Sequence, residues 1–129
     1  MTVVLDTCAL FWWTAMPEKL SPAAAAACAT MEQDGGMVSS ISFWELGIKA
    51  RKGTIALGVS IETFCERVVS TGILEILPVD LDTWLANLAL DWEHRDPADR
   101  TIVAAAMRRD APIVTADTVI ADYYPDVIW

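Results

Sequence analysis

Short apolar runs alternate with longer amphipathic or alanine-rich stretches along the chain, and this pattern predicts alternating strands and helices. The predicted strands cover residues 2–5, 37–40, 73–79, 112–115 and 126–129. The predicted helices cover residues 7–15, 21–33, 42–53, 61–72, 81–92 and 96–109, with a short helical turn after Asp117. Strands that alternate with helices indicate an α/β fold, in which a central parallel sheet of about five short strands is flanked by helices.

The composition is that of one globular domain spanning residues 1–129. Hydrophobic residues make up 54% of the chain and charged residues 21%, which is a compact, slightly apolar composition. The N-terminal apolar run contains Asp6 and has no basic leader, so we expect neither a signal peptide nor a membrane span. Cys8, Cys28 and Cys65 are scattered and odd in number, so we expect buried, unpaired thiols in a cytoplasmic protein.

Four acidic residues fall at the same edge of the predicted sheet. Asp6 ends the first strand, and Glu45 is expected in the first turn of the helix that follows the second strand. Asp99 is expected in the first turn of helix 96–109, and Asp117 follows the fourth strand. Right-handed crossovers bring the carboxyl ends of parallel strands to one edge. Open α/β sheets place their functional sites at this edge.

Helix capping is an alternative explanation for each of these acids taken alone. The stretch from Ser42 to Glu45 has the spacing of a capping box. The stretch from Asp96 to Asp99 is similar, with a proline at the first helical position and Asp96 as the expected cap. Asp6 and Asp117 are compatible with ordinary turn residues.

Two arguments favour a site over capping. Asp99 shares a helix face with Ile102, Val103 and Ala106, so its carboxylate should tilt inward over the sheet. Four converging carboxylates also repel one another, by roughly 4 kcal/mol for a pair about 4 Å apart at an effective dielectric constant near 20. A divalent cation would resolve this repulsion.

The donor atoms select the metal and the reaction class. Carboxylate oxygens favour Mg²⁺ or Mn²⁺ over Zn²⁺. His94 is the only histidine, too few for a typical zinc site, and we interpret it as a turn or helix-entry residue. Magnesium held by few carboxylates typically meets phosphate, so hydrolysis of a phosphodiester bond is the natural reaction class.

The chain also resembles the PIN-domain ribonucleases, and among them the VapC-type toxins of bacterial toxin–antitoxin pairs. The matching segments are LDTCALFWW (5–13), SFWELGIKARKG (42–53), HRDPADR (94–100) and VTAD (114–117), and they occur in the family order. Ala98 stands where the family often has a bulky aromatic residue, and Cys8 occupies a variable position. The resemblance covers essentially the whole chain and implies a single PIN-like nuclease domain.

The resemblance assigns roles to individual residues. It implies that Asp6, Glu45, Asp99 and Asp117 are the catalytic, metal-binding acids, and it identifies Thr7 and Thr115 as supporting polar residues. It implies an endoribonuclease that uses Mg²⁺ or Mn²⁺, acts as a homodimer and is inhibited by a small antitoxin protein. The antitoxin of this family lays an apolar segment in a groove and often inserts a basic side chain into the acidic pocket.

The net charge of −9 is unusual for a protein that binds RNA. Arg95 and Arg100 flank Asp99 and are the predicted phosphate contacts, whereas Lys49 is expected to pair with Glu45 one turn away. With so few basic groups at this edge, RNA binding should be weak and strongly dependent on salt.

Aromatic residues cluster in the first and third helices. Phe11, Trp12 and Trp13 are consecutive, and neighbouring residues of a helix point about 100° apart, so one helix cannot bury all three. Core packing is the simpler explanation for each ring. We nevertheless predict that Trp13, Phe11 and Trp44 contribute to a groove for a protein partner.

Three other functions are compatible with parts of the pattern. A phosphatase with an aspartyl nucleophile also begins with an aspartate after its first strand, but it usually carries a second aspartate where this chain has Cys8. A phospho-receiver domain would want a lysine after the fourth strand, and none follows it here. A module without catalytic activity could use the acidic cleft to bind a basic peptide.

Overall fold

A computed structural model of the protein describes residues 2–129. Its core is a five-stranded parallel sheet in the order β3-β2-β1-β4-β5. The strands are β1 (Val4–Leu5), β2 (Gly36–Ser39), β3 (Leu74–Leu77), β4 (Ile113–Val114) and β5 (Val127–Ile128). Val4 is at the centre of the sheet, where it aligns with Met37 on one side and Ile113 on the other. The predicted α/β fold is confirmed.

Helices connect the strands as the sequence predicted, with differences at their ends. They are α1 (Thr7–Ala15), α2 (Pro22–Asp34), α3 (Ser40–Arg51), α4 (Ile61–Ser70), α5 (Leu81–Ala89), α6 (Pro97–Arg109) and α7 (Thr118–Tyr123), with a short 3₁₀ helix at Pro17–Lys19. Helix α3 begins two residues earlier than predicted, α4 ends two residues earlier, and α5 ends three residues earlier.

Two apolar layers cover the two faces of the sheet. Because strand side chains alternate in direction, Val4 faces the layer of α6, while Leu5 faces the layer that contains Leu10 of α1. Ile102 and Val103 of α6 are at most 1% exposed. This burial places the inward face of α6 against the sheet, as the hydrophobic pattern predicted.

Helix α5 carries its polar and apolar residues in an unusual arrangement. Thr83 and Asn87 face inward and are buried. The Asn87 side chain donates to Thr101 Oγ1 on α6 at 3.0 Å. Four large apolar residues of the same helix are exposed instead: Leu81 (71%), Trp84 (41%), Leu85 (54%) and Leu88 (76%). We call these four residues the α5 apolar face.

The cysteines differ from the expectation of three buried thiols. Cys28 is buried, but Cys8 is exposed and Cys65 is only partly covered, and all three are free. Cys8 is exposed because it occupies an outward position in the first turn of α1, at the sheet edge. Within residues 2–129, none of the helices combines the length and apolarity needed to cross a bilayer.

Candidate active site

Asp6 immediately follows β1 and begins α1. Its Oδ1 accepts a hydrogen bond from the Ala9 backbone N–H at 2.8 Å, so it caps the helix. Its Oδ2 accepts a hydrogen bond from Thr115 Oγ1 at 2.5 Å. The residue is only 7% exposed. Two hydrogen bonds thus fix this buried carboxylate at the carboxyl end of the central strand.

Asp117 lies three residues after the end of β4 and caps the next helix. Its Oδ1 accepts hydrogen bonds from the backbone N–H groups of Val119 at 2.8 Å and of Ile120 at 3.4 Å, and these bonds cap α7. Its own backbone N–H donates to Thr115 Oγ1 at 3.0 Å. Thr115 therefore links the backbone of one candidate acid to the side chain of the other.

The start of α6 carries two acids with different hydrogen-bond partners. Asp96 accepts hydrogen bonds from the backbone N–H groups of Ala98 at 2.9 Å and Asp99 at 3.1 Å, so it is the N-cap, as predicted. The carboxylate of Asp99 lies 2.8 Å from His94 Nε2 and is hydrogen-bonded to it. The His94 ring packs 4.8 Å from the Trp92 ring. His94 thus holds Asp99, a role that its interpretation as a turn residue missed.

Helix α3 positions Glu45 differently from the prediction. The helix begins directly after β2, and Ser39 rather than Ser42 caps it. The predicted capping box is therefore wrong, and Glu45 lies in the second turn. Ser42 is fully buried, and its Oγ accepts a hydrogen bond from Thr7 Oγ1 at 3.0 Å. Thr7 therefore ties α1 to α3 and does not hold an acid.

The four acids line one cavity at the carboxyl edge of the sheet, and we call it the acid cavity. Its volume is about 330 Å³. Its walls are Asp6, Thr7, Cys8, Trp12, Glu45, Lys49, Asp96, Asp99, Ala116 and Asp117. Segments far apart in sequence thus meet where the parallel topology predicted.

Burial is the main reason why the carboxylates of Asp6 and Asp99 are costly to ionise. Burial raises the pKa of Asp6 from 3.8 to about 6, against the lowering effect of its hydrogen bonds from Thr115 and Ala9, and the charges of Asp99 and Asp117 add to the rise. Burial also raises the pKa of Asp99, with the His94 hydrogen bond opposing the rise. Repulsion between the acids thus contributes as expected, but it is secondary to desolvation.

The donor set fits a hard divalent cation. Carboxylate oxygens dominate the acid cavity, and none of the described residues in its wall is a histidine. Among residues 2–129, a closer group is formed by His94, Asp96 and Asp99, whose ligand atoms all lie within 4.8 Å of one another. His94 Nε2 is already engaged with Asp99, and Asp96 Oδ1 caps α6. We therefore regard these two residues as supports for Asp99 rather than as the main ligands.

The basic residues differ most from the predictions. Arg100 does not face the cavity as a phosphate contact. Its guanidinium donates to the backbone carbonyls of Trp92 at 2.5 Å and Asn87 at 2.6 Å, and to three further oxygens. Every N–H group that it could offer to a phosphate is therefore directed at Asn87 of α5 or at the segment between α5 and α6. Arg95 is exposed.

Lys49 lines the acid cavity but does not form the expected ion pair. In the described part of the chain, no carboxylate oxygen lies within 4.0 Å of its ammonium group. Arg108 and Arg109 do form ion pairs, with Asp80 at 3.7 Å and Glu75 at 2.8 Å. Among the residues that the structure describes, Lys49 is thus the one cationic side chain in the wall of this cavity.

The three aromatic residues predicted for a partner groove do not share one groove. Phe11 is a core residue with 8% exposure, because it faces the apolar layer under α1. Trp13 is half-buried, lines a separate cavity between α1 and α4, and donates from Nε1 to Glu32 at 2.9 Å. Trp44 is 60% exposed on α3. Trp13 lines the cavity between α1 and α4, whereas Phe11 reaches the wall of a different cavity, between α1 and α3.

Comparison with known proteins agrees with the fold and with the motifs. A relative in Mycobacterium tuberculosis (strain ATCC 25618 / H37Rv), Ribonuclease VapC22, is 28% identical over 134 residues, covering 99% of this chain and 98% of that protein. The toxin–antitoxin complex from Klebsiella pneumoniae has a similar fold, with a TM-score of 0.68 at 20% identity over 99% of this chain and 97% of that one. VapBC2 from Rickettsia felis, bound to a DNA fragment from its promoter, gives a TM-score of 0.69 at 15% identity over 98% and 96% of the two chains.

The family description "PIN domain" matches residues 3–124. This match includes every acid of the acid cavity, and it confirms the resemblance inferred from the four motifs. The chain therefore belongs to the PIN-domain family.

Proposed function

We propose that this protein is a divalent-metal-dependent endoribonuclease, the toxin of a toxin–antitoxin pair in the cytoplasm, and that it hydrolyses RNA phosphodiester bonds at the acid cavity. One observation carries the proposal: Asp6, Glu45, Asp99 and Asp117 come from four separate segments and line one cavity. A VapC-named ribonuclease of nearly the same length supports the choice of RNA as substrate.

The acid cavity would hold Mg²⁺ or Mn²⁺ through Asp6, Asp99, Asp117 and Glu45, which all line it. When bound, the cation activates water and neutralises charge on a phosphodiester oxygen. Asp6 and Asp117 are positioned by helix caps, so their carboxylates keep their direction without the metal. His94 orients the Asp99 carboxylate, and such outer partners commonly tune metal affinity.

The proposal predicts cleavage of RNA in Mg²⁺ or Mn²⁺ and none in excess chelator. Asp99→Asn should lose at least a hundredfold in rate, because the variant cannot supply the carboxylate charge. Asp126→Asn, an exposed acid outside the cavity, is the matched control and should cleave like the wild type. Equal cleavage by Asp99→Asn and the wild type, or cleavage that persists in chelator, would contradict the proposal.

An antitoxin is the proposed protein partner. Solved structures with this fold include toxin–antitoxin complexes. The cavity between α1 and α4 measures about 360 Å³ and has apolar walls that include Trp13, Phe64 and Val68. We expect an apolar segment of the antitoxin to occupy it. Trp13→Ala should weaken copurification of the toxin with the product of the neighbouring gene, whereas Trp44→Ala tests whether the exposed ring on α3 also contributes.

A homodimer is proposed from the α5 apolar face. Leu81, Trp84, Leu85 and Leu88 lie at intervals of three and four residues, so they form one stripe on the outside of α5. Such a stripe would pack against its symmetry copy across a two-fold axis. Leu85→Glu should convert a dimer to a monomer in sedimentation, and Val69→Glu, an equally exposed but isolated site, should not. A wild-type monomer at micromolar concentration would contradict this assembly.

A phosphatase with an aspartyl nucleophile is not favoured by the site. Both oxygens of the first aspartate accept hydrogen bonds, and the residue two positions on is Cys8 rather than a second acid. Hydrolysis of a small phosphate ester without cleavage of RNA would revive that alternative. Binding of a basic peptide with no RNA cleavage in any metal would favour the binding module instead.

A further inference from the structure

A second cavity adjoins the acid cavity, and we call it the flanking cavity. It lies between α1, α3 and the segment 54–56, and its volume is about 390 Å³. That volume is within the range of about 300–1,000 Å³ typical of small-molecule sites. Four residues line both cavities: Thr7, Cys8, Trp12 and Lys49. A ligand that reaches the acids could therefore extend into the flanking cavity without leaving the surface of the protein.

The walls of the flanking cavity combine apolar surface with positive charge. The Trp12 ring and the side chains of Leu46 and Ile55 supply apolar surface. Lys19 and Lys49 supply the charge. Single-stranded nucleic acids are bound by this combination, because bases stack on aromatic rings while cations contact phosphates.

The two lysines are unusual for this chain. The net charge is −9, and the whole sequence contains three lysines. Two of the three line the flanking cavity. Within residues 2–129, neither has a carboxylate within 4.0 Å, so both ammonium groups are available to a ligand. Because two unpaired cations gather in one cavity of an otherwise acidic chain, an anionic ligand fits this cavity best.

Lys49 stands at the junction of the two cavities. It follows Glu45 by four residues on α3, so both side chains project from the same helix face. From this position its ammonium group can contact a phosphate that is also close to the acids. It supplies the positive charge that the prediction had given to Arg100.

We propose that the flanking cavity binds the nucleotide next to the bond that is cleaved, with Lys49 contacting a phosphate at the junction and the apolar wall around Trp12 receiving the base. The proposal rests on the proposed ribonuclease function. Lys49 is a positioning residue for the RNA chain, and Lys19 extends the positive wall towards the following phosphate.

The first test compares Lys49→Gln, Lys49→Arg and Lys52→Gln. Lys52 lies at the end of the same helix and is exposed, so Lys52→Gln is the matched control for loss of one charge. Lys49→Gln should raise KM on the order of tenfold and reduce the slope of log affinity against log salt by about 0.7. Lys49→Arg should restore most of the affinity, and Lys52→Gln should stay within twofold of the wild type.

Affinity for Mn²⁺ separates this role from a structural one. A cation beside the acids opposes binding of a dication, so Lys49→Gln should bind Mn²⁺ as tightly as the wild type or more tightly. Weaker Mn²⁺ binding in Lys49→Gln would show that the lysine acts by holding Glu45, and this would overturn the proposal.

The second test changes the substrate instead of the protein. An oligonucleotide with a mapped cleavage site is compared with versions that lack the base on one side or the other of the bond. Loss of one of these bases should raise KM, and Trp12→Leu should abolish the difference. A normal KM and salt slope in Lys49→Gln, with no effect of either missing base, would overturn the proposal and leave the cavity to a protein segment.

Binding without cleavage distinguishes this proposal from the function on which it rests. Fluorescence anisotropy with a labelled oligonucleotide in Ca²⁺ measures affinity whether or not the bond is cut. If the wild type binds and Lys49→Gln binds on the order of tenfold more weakly, the cavity assignment holds even when no cleavage is seen. If the wild type cleaves RNA but Lys49→Gln binds the oligonucleotide as tightly as the wild type does, the ribonuclease function stands and the cavity assignment fails.

Discussion

Replacing Asp6 with asparagine should stabilise the metal-free protein at neutral pH. The wild-type carboxylate is 7% exposed, and its pKa is raised from 3.8 to about 6. Each pKa unit corresponds to about 1.4 kcal/mol, so keeping this carboxylate ionised costs about 3 kcal/mol in the folded state. Asparagine removes the charge and keeps an oxygen that can accept the hydrogen bond from the Ala9 N–H, so the helix cap survives.

The sign of the pH dependence follows from the direction of the shift. Between pH 3.8 and about 6, the folded state binds more protons at Asp6 than the unfolded state does. The contribution of Asp6 to the free energy of unfolding therefore falls as pH rises through this window, and it remains unfavourable above it. Asp6→Asn should remove this fall.

Thermal unfolding in chelator, measured from pH 4 to pH 7.5, is the assay. At pH 7 the variant should melt on the order of 10 °C above the wild type. At pH 4 the difference should nearly vanish. Added Mn²⁺ should raise the melting temperature of the wild type and not that of Asp6→Asn, because only the wild type gains the free energy of binding.

Asp80 provides the matched control. It caps α5 as Asp6 caps α1, but it is exposed, and hydrogen bonds from the backbone and side chain of Thr83 hold its pKa below the ordinary value. Asp80→Asn should therefore not stabilise the protein at pH 7. A metal-free Asp6→Asn that is less stable than the wild type at pH 7 would refute the reasoning, because the buried carboxylate would then be a net stabiliser.

Three further predictions follow from other contacts. Arg100→Ala should lower the free energy of unfolding by about 2–4 kcal/mol in denaturant titrations, because it leaves several carbonyls without partners. Arg95→Ala, at an exposed site, should change the free energy of unfolding by less than about 0.5 kcal/mol. Equal effects of the two substitutions would contradict the structural role of Arg100. Thr115→Val removes a hydrogen bond that lowers the pKa of Asp6, so the decrease in the free energy of unfolding with rising pH should extend to higher pH than in the wild type. An unchanged dependence of the free energy of unfolding on pH would contradict this. His94→Ala removes the support of a candidate ligand and should weaken Mn²⁺ binding about tenfold by calorimetry, whereas unchanged affinity would show that this support is dispensable.

The edge of the sheet that carries the acids could be predicted from the sequence. Asp6 and Asp117 follow apolar strands, and Asp99 begins a helix with a clear apolar face. Parallel strands connected by right-handed crossovers leave only one edge for such residues. The pattern therefore determined where these acids lie before any distance was known.

The beginning of α3 could not be placed from its sequence. The spacing of Ser42 and Glu45 is that of a capping box, and it favoured Ser42 as the cap of this helix. In the structure the helix begins directly after β2, and Ser42 is buried, where it bonds Thr7 across 35 residues. A tertiary hydrogen bond of this kind leaves no local pattern in the sequence.

The role of Arg100 was hidden for a similar reason. Its position beside Asp99 suggested an exposed cation, but the segment between α5 and α6 offers the carbonyls of Leu90, Trp92 and His94 to the guanidinium. Helix α5 ends at Ala89, three residues before the predicted end, and this leaves the segment free to offer these carbonyls. The partner of a long polar side chain depends on loop geometry, which periodicity does not encode.

The inverted polarity of α5 also escaped prediction. Its leucines and Trp84 form a regular apolar stripe, and such a stripe normally marks the buried face. Thr83 and Asn87 are buried instead because they bond α6 and the residues around it. Both faces of a helix can be buried in an oligomer. The hydrophobic pattern of α5 alone therefore could not decide which face packs against the core of its own chain.

The most direct test of the account is to locate Mn²⁺ in crystals of the wild-type protein by anomalous scattering. The account predicts a peak in the acid cavity, bounded by Asp6, Asp99 and Asp117, which disappears in Asp6→Asn crystals soaked in the same way. A fully occupied Mn²⁺ site elsewhere on the protein, with no anomalous peak between these three carboxylates, would contradict the account.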